Sequence, residues 1–245
     1  MTHPAQLLGL ATAAPPNVIA QDEAAAAAAH VFGGKVFRTP DLLQLFENTG
    51  IKTRRTVKPL GWYAQARDWR ERNDAYLEGA SALYLEAARK ALAASGVAAE
   101  EVGAVVTVST TGIATPSLEA RLHGELGLAP GVVRVPVFGL GCAGGVSGLS
   151  IAARLARADP GRPVLLVVVE LCSLACRADE ASKANVVATA LFGDGAAAAV
   201  LRAGPPEPGA RPIEADSQHL WPDTLDIMGW TVDPTGFGIV LASTL

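Results

Sequence analysis

The sequence predicts an α/β fold with a mixed, largely buried sheet, and two observations support this class. First, short runs rich in valine, leucine and alanine alternate with longer stretches whose apolar residues recur at helical spacing. Second, residues 163–169 form an almost uninterrupted apolar run, which is typical of a strand in a sheet covered on both faces. A chain of 245 residues can bury a large core as one domain or as two small ones.

The predicted elements follow from these patterns in chain order. The predicted strands are 6–10, 102–108, 132–138, 163–169 and 195–201, and the predicted helices are 75–94, 116–126, 143–158 and 184–191. After a loop rich in proline and glycine at 203–212, residues 229–241 are predicted to form a hairpin with 234–236 in its turn. Residues 35–70 are irregular and basic, so we expect a surface excursion or a substrate-entrance element there.

Composition and charge exclude several classes of protein. Hydrophobic residues make up 50% and charged residues 18%, which excludes a disordered chain, and the net charge of −4 gives no electrostatic footprint for nucleic acid. We find no apolar run that could span a bilayer and no secretory signal. The three cysteines lack the pattern of a disulfide framework or a zinc site. We therefore expect a cytoplasmic protein with no metal, no nucleic-acid partner and no membrane insertion.

Cys142 is the candidate nucleophile. It follows the apolar run 135–138 and a glycine-containing turn, and a helical pattern begins directly after it. A cysteine at a helix N-terminus meets the positive end of the helix dipole and unpaired backbone N–H groups, which favour the thiolate and can hold an oxyanion. The local pattern fits a small buried cysteine in a strand-to-helix turn equally well, so both interpretations stay open at this point.

Four segments, in the right order, resemble the type III polyketide synthases, which are chalcone-synthase-like enzymes. Residues 138–150, with Gly-Cys-Ala-Gly-Gly-Val-Ser-Gly-Leu at their centre, are similar to the nucleophile segment of that family, and residues 190–198 contain its Phe-Gly-Asp-Gly-Ala signature. Residues 108–112, followed by Thr115-Pro116, have the family pattern too. The Glu-Leu-Cys-Ser-Leu segment at 170–174 resembles bacterial members in particular.

The resemblance implies a thiolase-like layered α/β fold built from two similar halves. The first half would be complete and the second largely missing. Residues 1–203 would form the N-terminal domain of the chalcone and stilbene synthase type, and residues 204–245 a linker and the truncated start of the C-terminal domain. The resemblance also implies an acyltransferase that is a homodimer in its full-length form.

The resemblance assigns roles to individual residues as well. Cys142 would accept the starter acyl group from a coenzyme A thioester, and an enolate from malonyl-CoA would then attack it. Phe192 would lie beside the reaction centre and exclude water, whereas Thr110, Cys172 and Ala175 match positions that line the acyl or cyclisation cavity. Read without the family, Phe192 is a core aromatic, Thr110 a strand-end hydroxyl bonded to its own turn, and Cys172 inert packing. No cofactor is implied beyond the coenzyme A thioesters that serve as substrates.

The chain also departs from the family pattern. The family uses a histidine and an asparagine, well downstream of the Phe-Gly-Asp-Gly segment, to decarboxylate malonyl-CoA. Only His219 follows Phe192, and it does not match the catalytic position, while the last asparagine is Asn185. We therefore expect the chain to be incomplete for full turnover, whether as a fragment, a truncated gene product or one part of a split enzyme.

Basic residues near position 54 have two interpretations. Lys52, Arg54 and Arg55 either attract the phosphates of coenzyme A or form a solvated basic loop, and residues 68–72 are predicted to be a charged surface face. The segment Thr49-Gly50-Ile51 with the two arginines is also compatible with a 3-oxoacyl-ACP synthase III, which shares the fold and a cysteine nucleophile. A further alternative is an inactive truncated scaffold or partner subunit.

Overall fold

The computed structural model of the chain describes residues 3–242, so the first two residues of the predicted N-terminal domain and the last three of the predicted C-terminal segment lie outside the described residues. The helices are α1 (Gln21–Phe32), α2 (Thr39–Asn48), α3 (Leu60–Tyr63), α4 (Trp69–Ser95), α5 (Leu118–Leu126), α6 (Gly144–Ala158) and α7 (Lys183–Leu191). The strands are β1 (Ala5–Ala13), β2 (Asn17–Ala20), β3 (Thr53–Thr56), β4 (Ala104–Val108), β5 (Val133–Val137), β6 (Val164–Leu171), β7 (Asp194–Ala203), β8 (Arg211–Ile213), β9 (Met228–Asp233) and β10 (Gly236–Leu241).

One mixed sheet of six strands confirms the predicted fold class. Its strand order is β5-β4-β6-β7-β1-β8. β4 pairs in parallel with β5 and β6, whereas β1 pairs antiparallel with β7 and β8. Every residue of β4 is buried, as the apolar pattern of a strand covered on both faces requires.

The chain divides into two compact units, and the first comprises residues 3–13, 80–170 and 196–220. Its core joins apolar residues of the sheet to small residues of α6, among them Val106, Val108 and Ala153. Alternate side chains of a strand point to opposite faces, and Thr107 accordingly meets α4, where its hydroxyl lies 2.9 Å from the hydroxyl of Tyr84. α4 and α6 therefore cover opposite faces of β4, which gives this unit three layers.

The second unit comprises residues 14–79, 171–195 and 221–242. Its core lies between α1, α2 and α7 and contains Phe32, Leu42, Phe46, Val186 and Ala190. Two hairpins complete it, β2 with β3 and β9 with β10. The second of these confirms the hairpin predicted at residues 229–241.

Three stretches differ from the sequence prediction. Residues 35–70 are not irregular, because they contain α2, β3, α3 and the start of α4. The helix α2 presents only Leu42 and Phe46 as buried residues, so its apolar pattern is too short to stand out from the surrounding charges. The run of alanines in α1 has no apolar–polar contrast, and a helix was not predicted there. β8, inside the predicted loop, is three residues long and depends on its pairing with β1. Among the described residues, no helix is both long and apolar enough to cross a membrane.

Candidate active site

Cys142 lies in a tight turn between β5 and α6, as the sequence predicts. It occupies a single 3₁₀ turn, Gly141–Ala143, and α6 begins at the next residue. Gly139 and Gly141 have φ angles of 90° and 52°, which residues other than glycine rarely adopt. These two glycines therefore allow the turn. Cys142 is exposed, which excludes the interpretation of a small buried cysteine.

Two glycines bring the start of α6 close to the sheet. A Cβ atom on Gly144 would lie 2.7 Å from Cγ1 of Val108, and one on Gly148 would lie 2.8 Å from Cγ2 of the same valine. Gly145 points into open space, where a Cβ atom would meet nothing within 4 Å. The close approach of α6 to β4 therefore sets the position of the turn that carries Cys142.

Thr110 lies just beyond the carboxyl end of β4, where it binds Glu170 of β6. The two strands are parallel and Val108 is paired with Val168, so residues 110 and 170 lie at the same level. Oε1 of Glu170 accepts hydrogen bonds from the backbone N–H of Thr110 at 3.0 Å and from its hydroxyl at 2.8 Å, and Oε2 accepts one from the Thr111 hydroxyl at 2.8 Å.

Glu170 is a candidate positioning residue whose contact with Thr110 the sequence does not predict. Burial raises the pKa of its carboxyl above the ordinary value, although the hydrogen bonds from Thr110 and Thr111 act in the opposite direction. The signal was present in the sequence as an acidic residue near the end of an apolar strand, where a charged group is costly unless it has partners. Its partners were not evident, because they lie 59 and 60 residues earlier in the chain.

Cys172 and Ala175 lie together on a 3₁₀ turn that follows β6. Ala175 is buried and Cys172 is half-buried. Asp194 holds this turn, because its carboxylate accepts hydrogen bonds from the backbone N–H of Ser173 at 2.8 Å and from the Ser173 hydroxyl at 2.6 Å. The same carboxylate accepts a bond from the N–H of Val57 at 2.8 Å. Asp194 therefore has a structural role, because its carboxylate binds two backbone amides and one hydroxyl group.

The predicted charged face at residues 68–72 is wrong at Arg72. Its side chain is buried, and Nη1 donates to the carbonyl oxygens of Leu174 at 2.6 Å and Cys176 at 3.1 Å. Arg72 thus binds the C-terminal part of the turn that carries Cys172 and Ala175. Desolvation raises the pKa of the Cys176 thiol to about 11, which keeps it protonated near neutral pH and indicates a structural cysteine.

Phe192 is the C-cap of α7 and contacts the β9–β10 hairpin. Its ring meets that of Trp230 edge-on at 6.4 Å between centroids, and Trp230 stacks on Phe237 at 5.7 Å. Phe192 also lines a recess in the second unit, together with small and apolar residues of α1 such as Ala24 and Ala28. Cys172 and Ala175 do not line this recess.

The predicted site residues are divided between the two units. Cys142 and Thr110 belong to the first unit, and Phe192, Cys172 and Ala175 to the second. Within residues 3–242, no group of three or more histidine, cysteine, aspartate or glutamate side chains is arranged to hold a metal ion.

Comparison with known proteins decides the family. Residues 2–205 match the family described as chalcone and stilbene synthases, N-terminal domain. The chain belongs to the chalcone and stilbene synthase family. It is 36% identical over 248 residues to a putative chalcone synthase of Bacillus subtilis (strain 168), and 42% identical over 205 residues to a 1,3,6,8-tetrahydroxynaphthalene synthase of Streptomyces peucetius subsp. caesius. The alignments cover 96% and 82% of this chain, but 68% and 54% of those relatives.

Solved structures of chalcone and stilbene synthase relatives share the fold. The chain superposes on 1,3,6,8-tetrahydroxynaphthalene synthase from Streptomyces coelicolor A3(2), a bacterial type III polyketide synthase, with a TM-score of 0.90 and 29% identity, covering 98% of this chain and 68% of the other. The type III polyketide synthase domain of Steely1 from Dictyostelium gives a TM-score of 0.89 at 26% identity. These findings confirm the thiolase-like α/β fold and the predicted relationship to bacterial type III polyketide synthases, and they do not favour a 3-oxoacyl-ACP synthase III.

Proposed function

We propose that the protein is a type III polyketide synthase acyltransferase in which Cys142 carries the acyl group. The observation that carries this proposal is the exposed thiol of Cys142 at the start of α6, within a segment that matches the nucleophile segment of the family. The relatives named as 1,3,6,8-tetrahydroxynaphthalene synthases and as chalcone synthase support the same class of reaction.

The first step transfers an acyl group from a coenzyme A thioester to the protein. The Cys142 thiolate attacks the thioester carbonyl carbon, a new bond from Sγ to that carbon forms, and the bond to the sulfur of coenzyme A breaks, so that coenzyme A leaves as a thiolate and takes a proton from solvent. The helix terminus next to Cys142 favours the oxyanion that forms on the carbonyl oxygen.

The second step extends the acyl group. Malonyl-CoA loses carbon dioxide to give an enolate, whose carbon attacks the acyl carbonyl and displaces the Cys142 thiolate. The family resemblance assigns the decarboxylation to a histidine and an asparagine that no residue of this chain matches, so acyl transfer to Cys142 is the step that its own residues are proposed to perform.

The remaining predicted residues are proposed to shape the acyl group's surroundings. Thr110, held by Glu170, and Cys172 and Ala175, held on their turn by Asp194 and Arg72, would line the acyl or cyclisation cavity. Their fixed backbone supports this assignment, because a cavity wall must keep its shape to select a substrate. For Phe192 we propose the exclusion of water from the thioester, and its packing against Trp230 supports a fixed ring.

We further propose a homodimer without a cofactor other than the substrates, located in the cytoplasm. The strand β5 lies at an edge of the six-stranded sheet and its Val133 is 54% exposed, while Phe138 and Val146 next to Cys142 are 58% and 70% exposed. An apolar sheet edge is an aggregation liability unless something covers it, and a second copy of the chain would do so. The division into a domain at 1–203 and a following segment at 204–245 stays a prediction.

Intact-protein mass spectrometry after incubation with an acyl-CoA tests the acyl transfer. The parent chain should gain the mass of one acyl group, the Cys142→Ala variant should gain none, and the Cys176→Ala variant should behave as the parent because the Cys176 thiol stays protonated. Undiminished acylation of Cys142→Ala would sink the assignment. Offering the same acyl group on an acyl-carrier protein separates the two enzyme classes, since preference for the carrier protein over free coenzyme A would favour the 3-oxoacyl-ACP synthase III alternative.

A further inference from the structure

Arg54 lies on β3, but its guanidinium turns inward to the C-terminal end of α7. Nη1 donates to the carbonyl oxygens of Thr189 and of Phe192, the latter at 3.2 Å, and Nη2 donates to that of Ala190 at 2.7 Å. Phe192 is the C-cap of α7 and directly follows its last residue, Leu191. The prediction of a solvated basic loop is therefore wrong for Arg54, because its Nη1 and Nη2 donors are directed at α7.

This arrangement uses the guanidinium group in a way that another cation could not. The last carbonyl groups of a helix have no intrahelical donors and carry the negative end of the helix dipole, so a cation there is favourable. Arginine presents several N–H donors in a rigid plane, and one guanidinium can hold three carbonyls in a single geometry. A lysine at this position would keep the charge without the planar fork.

Gln21 locks the guanidinium in place. The Gln21 side chain is 8% exposed, and its Oε1 accepts a hydrogen bond from Nη2 of Arg54. Its Nε2 donates to the carbonyl oxygen of Ala190 at 3.0 Å, so the amide bridges the arginine and the helix end. The Arg54 guanidinium also lies over the ring of Phe46, 5.9 Å from its centroid.

The chain after Phe192 is fastened to the same strand. A Cβ atom on Gly193 would lie 3.3 Å from the carbonyl oxygen of Arg55, so the backbone runs close along β3 there. Asp194 then accepts its hydrogen bond from Val57. The Phe192 backbone is thus held by Arg54 on one side and by the contacts of Gly193 and Asp194 on the other.

We propose that Arg54 is a positioning residue that fixes the backbone of Phe192 and thereby the orientation of its ring. This inference rests on the function proposed for Phe192, the exclusion of water from the acyl thioester. Arg54 acts only through Phe192 and α7. Arg55, its neighbour on β3, is exposed and supplies a matched control.

The test compares formation and loss of the acyl-enzyme in the full chain with hexanoyl-CoA. In the loss reaction, the oxygen of water bonds to the acyl carbon and the bond to Sγ breaks. One proton of the water stays on the hexanoic acid that is released, the other goes to solvent, and Cys142 is left as a thiolate. We expect Arg54→Met to speed this hydrolysis about ten-fold while the acylation rate stays within about two-fold, because a displaced ring admits water without altering the nucleophile. Arg55→Met should leave the rate of hydrolysis unchanged.

A double variant shows whether Arg54 acts through Phe192. Hydrolysis in Arg54→Met with Phe192→Ala should be no faster than in Phe192→Ala alone, because the ring that Arg54 positions is already gone. Additive effects of the two substitutions, or an Arg54→Met variant that holds its acyl group as the parent does, would overturn the proposal. Where Arg54→Met fails to fold, Arg54→Lys serves as the test variant, and its rate of hydrolysis should rise by a smaller factor. A rate of hydrolysis equal to the parent's would contradict the role of the planar guanidinium group.

A second readout separates this proposal from the proposed function. With 4-fluorophenylalanine placed at position 192, Arg54→Met or Arg54→Lys should shift or broaden the ¹⁹F resonance, whereas Arg55→Met should leave it in place. A parent chain that forms no acyl-enzyme refutes the proposed function alone, and the resonance then decides whether Arg54 positions Phe192. An unmoved resonance in both Arg54 variants refutes the positioning role.

Discussion

The carboxylate of Glu170 accepts hydrogen bonds from both the backbone N–H and the hydroxyl of Thr110, across two adjacent parallel strands. Burial raises the pKa of this carboxyl, so the folded chain holds the Glu170 proton more tightly than the unfolded chain does. Protonation of Glu170 therefore contributes its whole share to the free energy of unfolding below the pKa of the unfolded chain, about 4.3. This contribution is lost as the pH rises through the higher pKa of the folded chain.

Glu170→Gln should remove this pH dependence. The parent should be more stable relative to the variant near pH 4 than near pH 7, since the variant has no proton to lose. Urea unfolding at both pH values measures the difference, with Glu100→Gln, an exposed residue, as the control. A parent-to-variant difference that is the same at both pH values would contradict the raised pKa.

Gly144 and Gly148 should tolerate no side chain, whereas Gly145 should. A Cβ atom at the first two positions would lie 2.7 and 2.8 Å from methyl groups of Val108, too close for an unshifted helix. We expect Gly144→Ala and Gly148→Ala each to lower the free energy of unfolding by about 1–3 kcal/mol through overpacking. Gly145→Ala should leave it unchanged or slightly raised, because alanine has the better helix propensity. Thermal or urea unfolding distinguishes these outcomes, and equal effects at all three glycines would refute the close approach of α6.

Asp194→Asn should destabilise the turn that carries Cys172 and Ala175. The Asp194 carboxylate accepts from three donors, and an amide in its place would direct an NH₂ group at one of them. We expect a loss of about 1–3 kcal/mol in the free energy of unfolding, as for a buried polar group left unpaired. Ser173→Ala removes one donor and leaves the other two bonds, so its loss should be smaller. Chemical denaturation ranks the two variants, and a larger effect of Ser173→Ala would show that Asp194 is not the centre of this network.

Asp233 should tether the β9–β10 hairpin in a pH-dependent manner. Its carboxylate lies 2.6 Å from Nη1 of Arg177, and this hydrogen bond holds the pKa of Asp233 well below its ordinary value. A lowered folded pKa means that the tether is complete above the unfolded pKa, about 3.9, and weakens as the pH falls toward the folded value. Asp233→Asn should weaken it at neutral pH.

Limited proteolysis and Trp230 fluorescence report on that hairpin. Asp233→Asn should expose residues 228–241 to proteolysis at neutral pH and alter the Trp230 emission, because the indole loses its fixed contact with Phe192. Asp226→Asn removes the same charge nearby and should cause neither change. Identical cleavage of the two variants would indicate a general charge effect in place of a tether.

Much of the fold was predictable because its signals are local. The strand at 163–169, the helix at 75–94 and the hairpin at 229–241 each carry a pattern of apolar residues and turn residues that can be read within one segment, and all three occur in the structure. The helices α1 and α2 were not predicted, since uniform alanine and a two-residue apolar stripe leave no such pattern. Their burial depends on contacts with α7, which lies more than a hundred residues later.

The candidate site divides in the same way. The position of Cys142 in a glycine turn before a helix is a local property, and the structure places it there with its thiol exposed. The sequence does not predict three features of the site, because each depends on residues distant in sequence. These are the bond of Thr110 to Glu170, the burial of the Arg72 side chain, and the role of Arg54 as a helix cap. Charged side chains near one another in sequence indicate a solvated face, but in the structure Arg54 and Arg72 donate to carbonyl groups of distant segments.

The sequence by itself determined the fold class, the family and the candidate nucleophile, because hydrophobic periodicity and the residues around Cys142 are properties of short segments. The tertiary structure alone decided which groups hold the site in place. Glu170 binds Thr110, which lies 60 residues earlier in the chain, and Arg54 binds Phe192, which lies 138 residues later. No local sequence pattern could predict either contact. The physical reason is that buried polar groups must find hydrogen-bond partners, and the folded chain supplies them from whichever segments it brings together.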